Sequence, residues 1–245
     1  MSKTVILIPS RLSATRLPGK PLLKINGISI ISHVVKKAKE SDVGEVYVAT
    51  EDKEILEDVN LNGGKAILTS DKHKTGSDRI FECFEKLDLK GIEYIINLQG
   101  DEPNIDINDL KHLNKMIEVN KPEIGTLASE INDKSKLINE SIVKVITESK
   151  VTINNFPIAL DFRRKVNNLN SNILHHIGIY AYKPDVLKKL NKFKQTKNEI
   201  KNRLEQLRAI ENGIKVNVAL AKFAPIGVDT MEDYLDLKKL LEYNS

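Results

Sequence analysis

Residues 4–21 read TVILIPSRLSATRLPGKP, and the reading of the fold starts there. Positions 4–9 are a short run of β-branched and apolar side chains without polar alternation, the pattern of a strand buried on both faces. The stretch 10–21 that follows is rich in breakers and carries Arg11, Arg16 and Lys20, so the strand delivers a cationic loop at its carboxyl end. Next, Ile30–Glu40 (IISHVVKKAKE) sets Ile30, Ile31, Val34, Val35 and Ala38 on one helical face. Glu45–Thr50 (EVYVAT) is a second strand, and 53–60 a helix closed by Gly63-Gly64. A brief strand at 65–68, a helix from about 77 to 87 and a strand at 93–98 (EYIINL) complete the first half. Strands alternating with helices predict an α/β fold, a parallel sheet with helices on both faces. Ligands of such sheets sit beyond the carboxyl ends of the strands.

The second half is less regular. Stretches 124–129, 142–147, 177–182 and 215–220 read as strands, 154–172 is Asn-rich without a clean period, 198–212 reads as one long helix ended by Gly213, and 231–242 as an amphipathic helix. The expectation is a single domain over 1–245. Its nucleotide-binding core takes about 1–130 and 215–245, with a mixed lobe of about 131–214 inserted.

Composition removes several classes. The 245 residues are 40% hydrophobic and 29% charged, enough for a packed core, and the apolar residues come in runs. A lone cysteine, Cys83, excludes an intrachain disulfide framework. No apolar run approaches the ~20 residues of a membrane span, and the N-terminus lacks signal-peptide architecture, so the expected setting is soluble and reducing. A net charge of +4 without a basic block argues against nucleic acid. Of the 38 cationic residues only seven are arginines: Arg11, Arg16, Arg79, Arg163, Arg164, Arg203 and Arg208. A lysine-rich chain can keep arginine where a planar fork is needed, and with only seven of them chance explains the list as well.

The loop 10–21 has the composition of a polyphosphate cradle, cations and hydroxyls beside a tight turn, yet neither a Walker A pattern nor Gly-x-Gly-x-x-Gly is present, and a solvated surface loop reads equally well. Asp101 stands where a buried strand emerges, and Asp229 follows Gly227-Val228 before the last helix. Two carboxylates beside a phosphate loop suit Mg²⁺; the plainer roles are a turn former for Asp101 and a helix cap for Asp229. The loop 69–79 (TSDKHKTGSDR) matches a calcium loop at Asp71, Gly76 and Glu82, but His73, Lys72 and Lys74 defeat that reading. Backbone donors around Thr75, Gly76 and Ser77, with Arg79 at the helix start, suit a base edge, while Ser77 alone would explain a helix cap. His176 and Tyr180 alternate on one strand with Gly178 between them, leaving room for a ligand, although a lone strand histidine is more often a satisfied core residue. Glu205 and Arg208, three apart on a helix, read equally well as a surface pair.

Six segments, 10–22 (SRLSATRLPGKPL), 69–80 (TSDKHKTGSDRI), 97–103 (NLQGDEP), 176–182 (HIGIYAY), 204–213 (LEQLRAIENG) and 227–233 (GVDTMED), together resemble, in order and spacing, the 3-deoxy-manno-octulosonate (Kdo) cytidylyltransferase family. The resemblance implies a nucleotide-diphosphosugar transferase-like, Rossmann-like mixed sheet with an inserted smaller α+β sugar-binding and dimerisation lobe. It implies a cytoplasmic homodimer that makes CMP-Kdo and pyrophosphate from CTP and Kdo with Mg²⁺, for lipopolysaccharide synthesis. Carried over by residue, Arg11, Arg16 and Lys20 handle the triphosphate, Thr75, Gly76, Ser77 and Arg79 the cytosine, and Gln99 the nucleotide and sugar. Asp101 and Asp229 hold the metal, with Asp101 also at the nucleotide; His176, Tyr180, Glu205 and Gln206 contact the sugar acid. The departures lie on the sugar side. Stretch 151–164 (VTINNFPIALDFRR) does not align with the family pattern, so Arg164 stands for the usual sugar-facing arginine with Arg163 in competition. Lys197 and Asn202 stand where Pro and Glu are typical. The alternative acceptor is 8-amino-Kdo or another acidic 2-keto sugar such as a sialic-type acid, and the remote alternative is a silent nucleotide-binding module.

Overall fold

The computed structural model describes residues 2–13, 16–73 and 75–243; Ala14 and Thr15 of the cationic loop and Lys74 of the second polar loop lie outside the described residues. Packing divides the chain into two compact units, Met1–Ile107 with Pro225–Ser245, and Asn108–Ala224.

The first unit starts with β1 (Thr4–Ser10), a 3-10 turn at Lys20–Leu22, and a hairpin of β2 (Lys24–Ile25) and β3 (Ile28–Ser29). Asn26-Gly27 makes its turn with φ of 49° and 78°, the positive values a two-residue hairpin requires. Then come α1 (Ile30–Glu40), β4 (Glu45–Thr50), α2 (Lys53–Leu61), β5 (Ala66–Leu68), α3 (Gly76–Leu87) and β6 (Tyr94–Asn97). β1 pairs in parallel with β4 and with β6, and β4 in parallel with β5. Val5, Ile6, Leu7 and Ile8 are fully buried, which explains the unbroken apolar run in β1. The apolar face of α1 (Ile30, Ile31, Val34, Val35, Ala38) is buried as its spacing predicts, and the Ser29 hydroxyl caps its start by accepting from the Ser32 amide at 3.2 Å.

The second unit contains α4 (Ile107–Asn120, from its second residue), β7 (Ile124–Ser129), β8 (Lys144–Thr147), β9 (Ala159–Arg163), β10 (Ile173–Tyr182), α5 (Pro184–Lys192), α6 (Lys197–Asn202), α7 (Gln206–Glu211) and β11 (Val216–Leu220). β10 pairs antiparallel with β7 and β8, β8 antiparallel with β9, and β11 parallel with β7. The chain then returns to the first unit with α8 (Met231–Tyr243).

The fold class is α/β, as read. Four details differ from the sequence reading. β9 lies inside the Asn-rich 154–172 stretch, held by its pairing with β8 rather than by any local period. Two further helices, α4 and α5, stand where the sequence pattern predicts no element. The single helix expected over 198–212 is two short helices, because Arg203 takes a left-handed conformation (φ 53°) that ends α6. And the boundaries near 130 and 215 shift to 107/108 and 224/225, since β7 and β11 pair with each other and β7 with β10.

Candidate active site

In the first unit the strand ends converge on Pro9. A Cβ added at Gly100 would lie 2.9 Å from the Pro9 carbonyl oxygen, and one at Gly76 would lie 3.3 Å from Pro9 Cγ. These two glycines therefore let the segment after β6 and the first turn of α3 close onto the end of β1. The result is a cavity of about 360 Å³ whose walls include the sequence candidates Arg11, Arg16 and Lys20 from the first loop, and Thr75, Gly76 and Arg79 from the second. Gln99, Asp101 and Asp229 complete that set. Ser77 lies in the first turn of α3 and is buried, outside the cavity lining; the cap is supplied instead by the Thr75 hydroxyl, which accepts from the Asp78 amide at 3.2 Å.

Lys20 is the hub of this cavity. Its Nζ donates to Asp101 Oδ2 at 2.5 Å, to the Val228 carbonyl at 2.7 Å and to Asp229 Oδ1 at 3.1 Å, while Arg16 reaches Asp229 Oδ2 at 2.7 Å. Burial lowers the pKa of the Lys20 ammonium, but the carboxylates of Asp101 and Asp229 outweigh it and the net shift is upward. The Asp101 carbonyl accepts from the Val228 amide at 2.9 Å, which fixes the spacing of the two aspartates through the main chain. Asp229 does not cap α8 by itself: the Asp233 carboxylate accepts from the amides of both Asp229 and Thr230.

Several partners of these candidates, Glu51 and Asp52 among them, escaped the sequence reading. Arg79, 3% exposed, donates to Glu51 and, at 2.8 Å, to the Thr69 hydroxyl. Asp52 accepts from the Leu12 amide at 2.7 Å and so ties down the cationic loop. Both acids directly follow β4, the same strand-end position that singled out Asp101. Beside Asp101 the Glu102 Oε2 is buried without a hydrogen-bond partner among the described residues, and burial, with Asp101 and Asp229 nearby, pushes its carboxyl well above the usual range. Ser10 Oγ is likewise buried without a partner among the described residues, in the lining of the cavity.

The donor chemistry here fits a hard divalent cation. Asp101 and Asp229 offer carboxylate oxygens to one point, now met by the Lys20 ammonium. Among the described residues no cluster of three or more His, Cys, Asp or Glu forms a closed metal cage. Magnesium is characteristically held in that way, by one or two carboxylates with substrate phosphates and water completing its shell.

The sugar-side candidates lie in the second unit. His176 and Tyr180 share one face of β10, with ring centroids 5.4 Å apart across a bulge in the β10–β7 register. Thr126 Oγ1 donates to the Ile179 carbonyl at 2.7 Å and is 3.1 Å from His176 Nε2, an arrangement that assigns the proton to Nε2 and leaves Nδ1 an acceptor. Burial, with His175 adjacent, brings the His176 pKa down to about 3. Burial raises that of Tyr180, helped by Tyr182 and Glu205; the Tyr180 hydroxyl has no partner among the described residues. Glu205 occupies the N-cap of α7 and Gln206 its first turn. Arg208 is no surface residue: at 5% exposure it forms a bidentate pair with Glu199, 4% exposed, and meets Glu205 only at 3.9 Å. Arg164 turns to main-chain carbonyls, and Arg163 pairs with Asp161 at 2.7 Å in an exposed position.

The profile of the family described as Cytidylyltransferase matches residues 5–216. The chain belongs to the cytidylyltransferase family. Among cytidylyltransferases, it is 38% identical over 241 residues to the 3-deoxy-manno-octulosonate cytidylyltransferase of Nitrobacter hamburgensis, covering 98% of this chain and 93% of that one. To the enzyme of the same name from Thermodesulfovibrio yellowstonii it is 39% identical, covering 97% and 98%. The structure of CMP:2-keto-3-deoxy-manno-octonic acid synthetase complexed with CTP superposes over the whole of both chains with a TM-score of 0.90 at 34% identity. A UDP-glucose pyrophosphorylase complexed with UDP-glucose shares the fold, with a TM-score of 0.72 at 19% identity. This cytidylyltransferase thus has the nucleotidyltransferase fold, and the cationic loop and paired aspartates stand at the strand ends where that fold binds ligands.

Proposed function

We propose that this cytidylyltransferase joins CTP and 3-deoxy-D-manno-octulosonate into CMP-Kdo and pyrophosphate, with Mg²⁺. The observation that carries the reading is the full-length likeness, at 34% identity and a TM-score of 0.90, to the synthetase solved with CTP.

The anomeric hydroxyl oxygen of the sugar acid attacks the α-phosphorus and forms a new oxygen–phosphorus bond, its proton passing to solvent. The bond to the β-phosphate oxygen breaks, and pyrophosphate leaves in line. Such a transfer depends on positioning and on neutralising charge. Arg11, Arg16 and Lys20 neutralise the triphosphate and the departing pyrophosphate. Thr75, Gly76 and Ser77 at the start of α3 offer backbone donors to the cytosine edge, and Arg79, fixed by Glu51 and Thr69, braces that turn. Gln99, on the segment that Gly100 holds against Pro9, serves the nucleotide and the sugar. Asp101 and Asp229 would hold the metal, which when bound supplies Lewis-acid polarisation of the α-phosphate. His176, Tyr180, Glu205 and Gln206 contact the sugar acid: a neutral imidazole with a free acceptor and a buried phenol suit its hydroxyls. The second unit serves as the sugar and dimerisation lobe, and the product enters lipopolysaccharide synthesis in the cytoplasm. Among the described residues no helix is long and apolar enough to cross a membrane.

Pyrophosphate release with CTP, Mg²⁺ and a panel of Kdo, 8-amino-Kdo and a sialic-type acid tests the reading. Kdo is expected to give the highest kcat/KM. A higher value with another acid would reassign the acceptor, and no release with any acid would leave a nucleotide-binding module. Light scattering is expected to give twice the 27.6 kDa chain mass; a monomer mass would refute the dimer.

A further inference from the structure

The turn between α6 and α7 is built in an unusual way. Arg203 closes α6 in the left-handed region at φ 53°, as Asp88 and Lys121 do after α3 and α4, and the Leu204 amide donates back to the Glu199 carbonyl at 3.2 Å. The last carbonyls of so short a helix have no intrahelical partner. Two of them, those of Asn202 and Arg203, are met by one distant side chain: Arg164 donates from Nε to Asn202 O at 2.7 Å and from Nη2 to Arg203 O at 3.1 Å. A third bond, from Nη1 to Glu140 O at 2.8 Å, ties the same guanidinium to the 139–142 turn. A cation at a helix C-terminus is favoured by the helix dipole as well.

Arg164 is itself anchored. The fully buried Lys144 donates from Nζ to the Arg164 carbonyl at 2.6 Å and to the carbonyls of Asn139 and Ile142 at 2.7 and 2.8 Å. The far end of the turn is pinned by the Arg208–Glu199 pair, with Glu199 also accepting from the Thr196 amide at 3.1 Å. Between these fixed points lie Leu204, Glu205 and Gln206. Glu205 is the N-cap of α7, yet its side chain makes no capping bond.

We infer that Arg164 is a positioning residue for recognition of the sugar acid, holding the left-handed turn at Arg203 so that Glu205 and Gln206 are presented at the start of α7. It acts through the main chain and does not touch the sugar. The inference rests on the reading of Glu205 and Gln206 as sugar contacts.

The test is a double-mutant cycle with Arg164→Met, Glu205→Gln and the pair, measuring kcat and both KM values, with Gln206→Ala alongside. Arg164→Met is expected to raise KM for Kdo about tenfold to a hundredfold, the scale of an ångström-sized misplacement, while KM for CTP stays within about twofold. The paired variant is expected to fall well short of the product of the two single penalties, since part of the Arg164 effect runs through Glu205 and the rest through Gln206. Arg164→Lys, which keeps the charge without the fork, is expected to shift KM for Kdo in the same direction and serves if Arg164→Met does not fold. Hydrogen exchange is expected to quicken in the peptide 200–208 and in the 139–142 turn that the same guanidinium ties.

Multiplying penalties in the paired variant would overturn the inference in favour of direct contact. An unchanged KM for Kdo in Arg164→Met, with Glu205→Gln impaired, would overturn it outright. Unchanged KM in both Glu205→Gln and Gln206→Ala would instead overturn the sugar-contact reading beneath it, whatever the exchange rates in 200–208.

Discussion

Lys20→Met removes the charge on which the cavity is organised, and its cost follows from the contacts. Nζ lies 2.5 Å from one aspartate and 3.1 Å from the other. At about 3 Å and an effective dielectric of ~20, each contact is worth roughly 5 kcal/mol before solvation. Desolvation of the ammonium offsets much of that, and water reaches the partners, Asp101 being 29% and Asp229 43% exposed as side chains. A fully buried pair broken on one side costs about 3–5 kcal/mol; with this exposure the expected loss is about 1–3 kcal/mol. The pairing raises the pKa of Lys20 above 10.5, so its stabilisation is complete below that pH and fades as pH climbs through the folded-state value. The gap between wild type and variant in urea unfolding is therefore expected at pH 7.5 and expected to narrow above about pH 10.5. Turnover is expected to fall by about 10²–10³, the scale for removing one oriented charge from a transition state. Pyrophosphate release and urea titration on the same preparations separate the two effects. A variant as stable as wild type at pH 7.5, with kcat within about threefold, would refute the reasoning.

Asp101→Asn and Asp229→Asn are each expected to keep the fold and lose about 10²-fold or more in turnover, measured as pyrophosphate release with CTP and Mg²⁺; near-wild-type rates in both would contradict the metal assignment. Arg79→Leu leaves the Glu51 carboxylate, 17% exposed, without its partner and is expected to cost about 2–4 kcal/mol in urea unfolding and to raise KM for CTP above that for Kdo. His176, held neutral by burial with a pKa of about 3 against an ordinary 6.5, binds its proton more readily in the unfolded chain, so stability drops as pH falls below about 6.5. Between pH 7 and 5 this residue alone is expected to cost about 2 kcal/mol, and His176→Gln to lose that much less over the same interval by urea unfolding.

Where the pattern is local, the sequence and the structure agree to the residue: Ile30–Glu40 and Glu45–Thr50 have the bounds that periodicity predicts. Where a partner far along the chain decides, they part. Nothing in 198–212 announces a break, because the turn at Arg203 is held by main-chain bonds to Glu199 and by Arg164, some 40 positions away, bonding to carbonyls that carry no residue identity. The strand β9 is invisible in an Asn-rich stretch because its warrant is β8. The scarcity of arginine proved informative in a physical sense: Arg79, Arg164 and Arg208 each use more than one guanidinium nitrogen on fixed acceptors, as a planar fork allows and an ammonium does not. The partners themselves, Glu51, Glu199 and a set of carbonyls, could not be paired from spacing, since helix spacing pointed Arg208 at Glu205. The nucleotide-side candidates were legible for a different reason, namely that they stand at the ends of parallel strands, where chain order alone brings loops together.

Cytidylyl transfer to the sugar acid is tested most directly by phosphorus NMR of the wild-type protein incubated with CTP, Kdo and Mg²⁺. The expected result is one new sugar-linked phosphodiester resonance growing in step with pyrophosphate, with both growing about 10²-fold or more slowly when Asp101→Asn replaces wild type. Pyrophosphate or free CMP formed without that phosphodiester, or its equal formation by Asp101→Asn, would contradict the proposed reaction at this site.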